Sequence, residues 1–290
     1  MKITLITTLS SLIENQRLQQ EAEKMGHQFQ LIDLKNFNYQ IKNNQFIVPQ
    51  LQDLNTDLII VRGIFNSLKS ISAIINHHRQ QGIKVFDNNL LSHFYSIDKV
   101  TDMVKLSLNN IATPNTSYSR DYSDFPQLAK QLGYPLIIKS TRMGKGANVF
   151  KIDSPQDLTK IVDNFKDKNF APKSLLLQQF IPYTHDLRIL CIGDQIFTMR
   201  RIPGKNEFRA NFSLGGSVEP FDPQPETIKL AHQALKAVDM TIAGVDVLIT
   251  QDNQQYVLEV NHTAGFVGME KATGKNIAQI WLKHAIKTAK

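Results

Sequence analysis

In the N-terminal third of the chain, short apolar runs alternate with stretches of helical period. Strands are predicted over Ile3–Thr8, Phe29–Leu34, Leu58–Val61 and Val85–Asp87, with helices over Leu12–Met25 and Ser67–Arg79. Apolar runs of strand length separated by helix-period segments predict a small parallel α/β layer. From Leu90 a helical stretch runs to Asn110, and Ala112–Ser119 predicts the strand that opens a second lobe. Helix Asp124–Leu132, strand Pro135–Ser140, loop Thr141–Gly146, strand Asn148–Ile152, helix Pro155–Phe165 and strand Leu175–Phe180 give that lobe an α+β character.

The texture then changes to hairpins. Leu187–Ile192 and Gln195–Arg201 flank Gly193-Asp194, and a loop follows that ends in Gly215-Gly216. A helix over Glu226–Val238, with Ile228, Ala231, Leu235 and Val238 on one stripe, precedes a second hairpin, Gly244–Thr250 with Gln255–Asn261. If its turn centres on Asp252-Asn253, Asp246 lies opposite Glu259, and Asn261 points to the same face. Facing carboxylates weaken a ladder unless a divalent cation lies between them. Hard oxygen ligands with an amide among them suit Mg²⁺, which takes its remaining oxygens from water and phosphate. Two solvated surface acids are the alternative.

Cations suited to phosphate lie upstream. Lys139 ends an apolar strand and is followed by a loop bearing Gly144 and Gly146, which is no Walker A because neither Ser nor Thr follows Lys145. Arg200, Arg201 and Arg209, with Asn211 close by, place three guanidiniums around one loop, either as a phosphoryl clamp or as a basic surface. His262 follows the acidic strand and is a candidate for substrate contact. Among 290 residues there is no G-x-G-x-x-G after the first strand, no G-x-S-x-G elbow and no zinc-type His/Cys spacing.

Bulk properties narrow the class. A net charge of +7 favours anionic ligands, yet Lys and Arg are scattered and no aromatic–basic alternation marks a base-stacking platform, so nucleic acid is not expected. The single Cys191 forms no internal disulfide, and no apolar run is long enough for a membrane span. The N-terminus reads as a strand rather than a signal peptide. A cytoplasmic protein with no membrane partner is expected.

In order along the chain, several strings resemble the ATP-grasp fold and, within it, the RimK family of glutamate ligases. They are Asp98-Lys99, Lys139, Gln178-Gln-Phe-Ile, Asp186-Leu-Arg, Phe208-Arg-Ala-Asn with Gly215-Gly216, Ala243-Gly-Val-Asp-Val-Leu, and Leu258-Glu-Val-Asn with the glycine-rich tail after it. The resemblance implies an α/β chain, α+β in its C-terminal lobes, with a Rossmann-like pre-ATP-grasp domain at 1–92, a central lid domain at 93–178 and a C-terminal domain at 179–290. It further implies an ATP-dependent carboxylate–amine ligase working through an acyl phosphate. By the same resemblance Asp246, Glu259 and Asn261 hold Mg²⁺ or Mn²⁺, one ion or two.

Lys99, Lys139 and the loop with Gly144 and Gly146 then bind phosphates, Gln178, Gln179, Phe180 and Ile181 hold the adenine, and Asp186 meets the ribose region. Arg209 and Asn211 reach phosphate, and Arg201 steadies the acyl phosphate. Implied partners are ATP, glutamate or a similar amino acid, and an acceptor carboxylate on a protein tail, carrier protein, peptide or small molecule; a homo-oligomer is allowed.

The sequence departs from the family pattern at Gly144, Asn148, Gln179, Ala264 and Ser213-Leu-Gly-Gly. These departures leave two further readings open: a small-molecule ligase of glutathione-synthetase or D-alanine–D-alanine-ligase type, and a nucleotide-binding module without turnover.

Overall fold

The computed structural model describes residues 1–35, 40–42, 45–51, 54–64, 71, 72, 75, 78–87, 98–141, 148–204, 207–210 and 217–289, with backbone alone at 40–42 and 45–47. The apolar N-terminal runs form β1 (Lys2–Thr7), β2 (Gln28–Asp33), β5 (Leu58–Val61) and β6 (Lys84–Phe86), a parallel sheet of order β2-β1-β5-β6, as the alternating pattern predicts. Two short strands, β3 (Gln40–Lys42) and β4 (Gln45–Ile47), form a separate hairpin. Helix α1 (Ile13–Lys24) packs Leu18 and Ala22 inward. Of the expected helix Ser67–Arg79, the described residues 71, 72, 75, 78 and 79 are helical.

A second sheet holds β7 (Thr116–Ser117), β10 (Leu175–Gln179), β8 (Leu136–Ser140) and β9 (Val149–Ile152) in antiparallel order β7-β10-β8-β9. Helices α3 (Phe125–Leu132) and α4 (Pro155–Asp167) cover it, and Phe125, Leu158 and Phe165 fill its core. Strand β7 is much shorter than the expected Ala112–Ser119, because Pro114 has no N–H to donate and the Ala112 carbonyl is taken by the Val257 amide. Helix α2 (Lys99–Leu108) opens with Asp98 accepting from the Thr101 amide, and the predicted helical stretch before Asp98 lies outside the described residues.

The third sheet positions the chemistry. Strands β13 (Ser217–Pro220), β12 (Gln195–Ile202), β11 (His185–Ile192), β14 (Ile242–Ile249) and β15 (Gln255–Asn261) form an antiparallel sheet in that order. Helix α5 (Pro225–Ala237) and α2 pack on one face around Val245, Val247, Val257 and Val260. Two helices absent from the periodicity reading, α6 (Val267–Thr273) and α7 (Ile277–Thr288), join the other face to the N-terminal sheet through Leu190, Ile242, Trp281, Leu5 and Leu58. Gly268 interrupts the short α6, whereas α7 has no glycine and buries Ile277, Ala278, Trp281, Leu282 and Ala285 at helical spacing. No helix among the described residues is long and apolar enough to cross a membrane.

One irregularity matters. Strand β15 pairs with β14 as Asp246↔Glu259 and Val245↔Val260, but as Val247↔Val257 on the turn side, so Leu258 is an extra residue in a β-bulge. Strict alternation would put Leu258 and Glu259 on opposite faces. The bulge puts both on the face away from Val257 and Val260, which are buried against α5.

The β11–β12 turn needs glycine. Gly193 has φ +56°, and a Cβ there would lie 2.8 Å from His284 Cε1. Gly193→Ala is therefore expected to lower unfolding stability by about 1–2 kcal/mol, the cost of a left-handed backbone at a residue with a side chain, with more added by the clash. The midpoint of urea unfolding measures it.

Candidate active site

Alternation along β11 and β12 sends Asp186, Arg188 and Arg201 to the face that carries Asp246 and Glu259. Register completes the arrangement: Arg188 pairs with Asp246, and Asp186 with Arg201. Asp246 is 5% exposed, and burial alone would raise its pKa. Arg188 and Arg201 outweigh burial and hold the carboxyl below the usual range. Arg188 grips both oxygens, with Nη2 donating to Oδ2 at 2.7 Å, and Arg201 Nη2 lies 3.0 Å from the same oxygen. Arg201 Nε also donates to Asp186, whose pKa burial pushes up to about 6 although Arg201 opposes it. Burial works against the charge on Arg201, but Asp246 and Asp186 more than offset it.

Asp186, Arg201 and Asp246 form the floor of a pocket of about 140 Å³. It gathers Lys99, Lys139, Gln178, Gln179, Phe180, Ile181, Asp186, Arg201, Arg209, Asp246 and Glu259 from the sequence expectations. Lys99, at the start of α2, reaches Glu259 at 3.4 Å. Lys139 is buried on β8; burial lowers its pKa to about 8, with Glu259 pulling it up and Lys99 down. Gln178 donates to Thr116 Oγ1 at 2.8 Å, the Gln179 amide donates to the Asn115 carbonyl, and Phe180 meets Phe208 edge-on. Arg209 pairs with Glu207 at 2.8 Å and stacks on Phe208. Gly144, Gly146 and Asn211 lie outside the described residues.

One expectation is corrected. Arg200 does not join Arg201 and Arg209, because its place next to Arg201 on β12 turns it to the opposite face, where it pairs with Glu219 and stacks on Phe221. Several lining residues escape the sequence reading: Ile137, Val149, Leu248 and Leu258 give apolar walls, and Tyr183 donates to the Phe208 carbonyl at 2.7 Å. Arg188 also escapes it, although i, i+2 alternation from Asp186 was a usable signal. His262 turns away from the pocket and meets Asp102 of α2 at 3.0 Å.

The donor set fits a hard cation. Asp246 and Glu259 face each other on β14 and β15, and Asn261, paired with Gly244, extends the same face. Among the described residues no three His, Cys, Asp or Glu side chains cluster as a metal cage.

Known proteins match along the whole chain. The family described as the RimK-like ATP-grasp domain matches residues 96–284, and the RimK pre-ATP-grasp domain matches residues 1–89. A probable alpha-L-glutamate ligase of Histophilus somni is 30% identical, with 100% of both chains covered. One from Pseudoalteromonas atlantica is 28% identical, covering 100% of this chain and 97% of the other. Among solved structures, the ATP-grasp ligase PsnB complexed with a minimal precursor superimposes with TM-score 0.72 at 18% identity, covering 98% of each chain. The D-alanine–D-alanine ligase of Bacillus anthracis gives 0.70 at 18% identity, covering 99% of this chain and 97% of that one. At these identities the structures speak for the ATP-grasp fold.

The depressed pKa of Lys139 gives a pH signature. Phosphate binding favours the ammonium form, so nucleotide affinity is expected to be level below pH about 8 and to fall by up to about tenfold per pH unit above it. Lys139→Met should bind more weakly and lose that dependence, read by nucleotide titrations from neutral to alkaline pH.

Proposed function

The chain belongs to the RimK-like ATP-grasp family of ligases, and from that premise we propose that it joins the amine of glutamate or a similar α-amino acid to a carboxylate activated by ATP. The three-lobed division at 1–92, 93–178 and 179–290 and the residue roles below are part of this proposal. The observation that carries it is the convergence of Lys99, Lys139, Arg201, Asp246 and Glu259 on one pocket, whose described lining has no Ser, Cys or His to act as a nucleophile. Such a site works by positioning and charge neutralisation.

An oxygen of the substrate carboxylate attacks the γ-phosphorus of ATP, ADP leaves, and an acyl phosphate results. The amine nitrogen then attacks the acyl carbon, phosphate leaves, and the amine proton passes to solvent. Lys99 and Lys139 bind phosphate oxygens, while the backbone and side chains from Gln178 to Ile181, with Leu248 and Leu258, enclose the base. Arg201, already fixed between two carboxylates, faces the negative charge that develops on the acyl oxygen as the amine adds. Asp246, Glu259 and Asn261 would hold Mg²⁺, which would supply further charge neutralisation on the phosphates. The names of the curated relatives support glutamate as the amine, and the acceptor carboxylate belongs to a protein tail, carrier protein, peptide or small molecule.

Incubation with Mg²⁺, ATP, L-glutamate and panels of peptide and small-molecule carboxylates should release ADP and phosphate only when amine and acceptor are both present, with a product one glutamyl residue heavier. Arg201→Ala should lower kcat by about 10²–10³, as loss of a single oxyanion donor does, and chelation of the metal should abolish turnover. No ADP release with any acceptor and amine rejects the ligase reading in favour of a nucleotide-binding module, and ADP release independent of any amino acid rejects it in favour of simple ATP hydrolysis.

A further inference from the structure

A second, smaller cavity of about 10 Å³ lies where the N-terminal sheet meets the end of β15. Its walls include Arg62, Trp281 and the three residues that follow Asn261, namely His262, Thr263 and Ala264. Arg62 stands just after β5, at the C-terminal edge of the parallel sheet. There the chain turns to one side after β1 and to the other after β5, and such a reversal of strand order opens a ligand crevice.

Arg62 is 4% exposed, and its guanidinium donates to two neutral oxygens, Asn15 Oδ1 at 2.9 Å and the Ala264 carbonyl at 3.2 Å. Among the described residues no carboxylate is within ion-pair distance of it. Burial lowers its pKa to about 10, and Glu14, acting from farther off, opposes the shift. A buried cation whose nearest counter-charge, Glu14, acts only from beyond ion-pair distance is costly, which makes it a receptor for an anion.

Two neighbours point the same way. His262 Nε2 is committed to Asp102, while His262 Nδ1 and Thr263 Oγ1 are buried with no hydrogen-bond partner among the described residues. Room for one water-sized atom beside a guanidinium and a hydroxyl suits a carboxylate oxygen and excludes a side chain. The phosphates have their own cations, Lys99 and Lys139, in the larger pocket.

We infer that Arg62 and the Thr263 hydroxyl form the subsite for the free α-carboxylate of the amino-acid substrate, the carboxylate that is not activated. This rests on the reading above that an α-amino acid supplies the amine. The α-carboxylate lies one carbon from the amine, so anchoring it beside the loop that leaves Asn261 fixes where the nitrogen stands relative to the end of β15. Arg62 thereby selects α-amino acids over simple amines.

The test is calorimetric titration of the chain, loaded with Mg²⁺ and a nonhydrolysable ATP analogue, with L-glutamate and with its α-amide. The wild type should bind the α-amide about tenfold to hundredfold more weakly, the worth of a hydrogen bond to a charged group. Arg62→Met should bind both ligands alike and no better than the wild type binds the α-amide, with folding checked by a cooperative thermal transition. Arg62→Lys, which keeps the charge but not the fork, should recover part of the preference and carries the test if the Met variant does not fold. Equal binding of both ligands by the wild type, or a preference that survives in Arg62→Met, overturns the subsite and leaves ligation standing. Failure of the wild type to bind either ligand overturns the choice of amine, and the subsite with it.

Discussion

A carboxylate with almost no access to water in the middle of a β-sheet has to be neutralised by the protein around it. Asp246 occupies that position on β14, and the cations come from two other strands: Arg188 directly across on β11 and Arg201 one strand farther on β12. Removing one partner from such a buried set leaves charge uncompensated at a cost of several kcal/mol. The hydrogen bonds therefore fix register across three strands and hold the guanidiniums in place before any substrate arrives. Preorganised charge of this kind is what a transition state with developing negative charge requires.

The bulge at Leu258 adds a second device to the same surface. By opposing two residues to Asp246, the ladder presents Leu258 to the apolar wall of the main pocket and Glu259 to its polar end, while Val257 and Val260 both remain in the core under α5. A hydrophobic wall and a carboxylate thus stand side by side from consecutive residues, which regular strand geometry does not allow.

Much of this was legible in the sequence because it depends on local periodicity. The parallel N-terminal layer, both C-terminal hairpins and the pairing of Asp246 with Glu259 follow from runs of apolar residues and a period of two. That pairing was reached through a tighter turn than the chain adopts: Ile249 pairs with Gln255 around a loop that includes Asn253 at φ +61°, and the bulge restores the offset. Arg200 was misplaced by counting guanidiniums along the chain instead of by face. Arg188, Tyr183 and Arg62 act through neighbours 58, 25 and 202 residues away, so their roles depend on how separate units assemble. Helices α6 and α7 carry one side of that assembly, α6 short and interrupted by Gly268, and Arg17 of α1 ties them down through Glu270 and Asn276.

The charge balance of the main site also constrains how its substrates enter. Around the pocket floor Asp186, Asp246 and Glu259 face Arg188, Arg201, Lys99 and Lys139, three acids against four bases. A bare divalent ion would approach a surface already in slight cationic excess, with both oxygens of Asp246 occupied. A polyphosphate that has already captured its ion would arrive as a net anion and meet no such barrier, so this charge balance favours a divalent ion that travels with its nucleotide over one that binds alone.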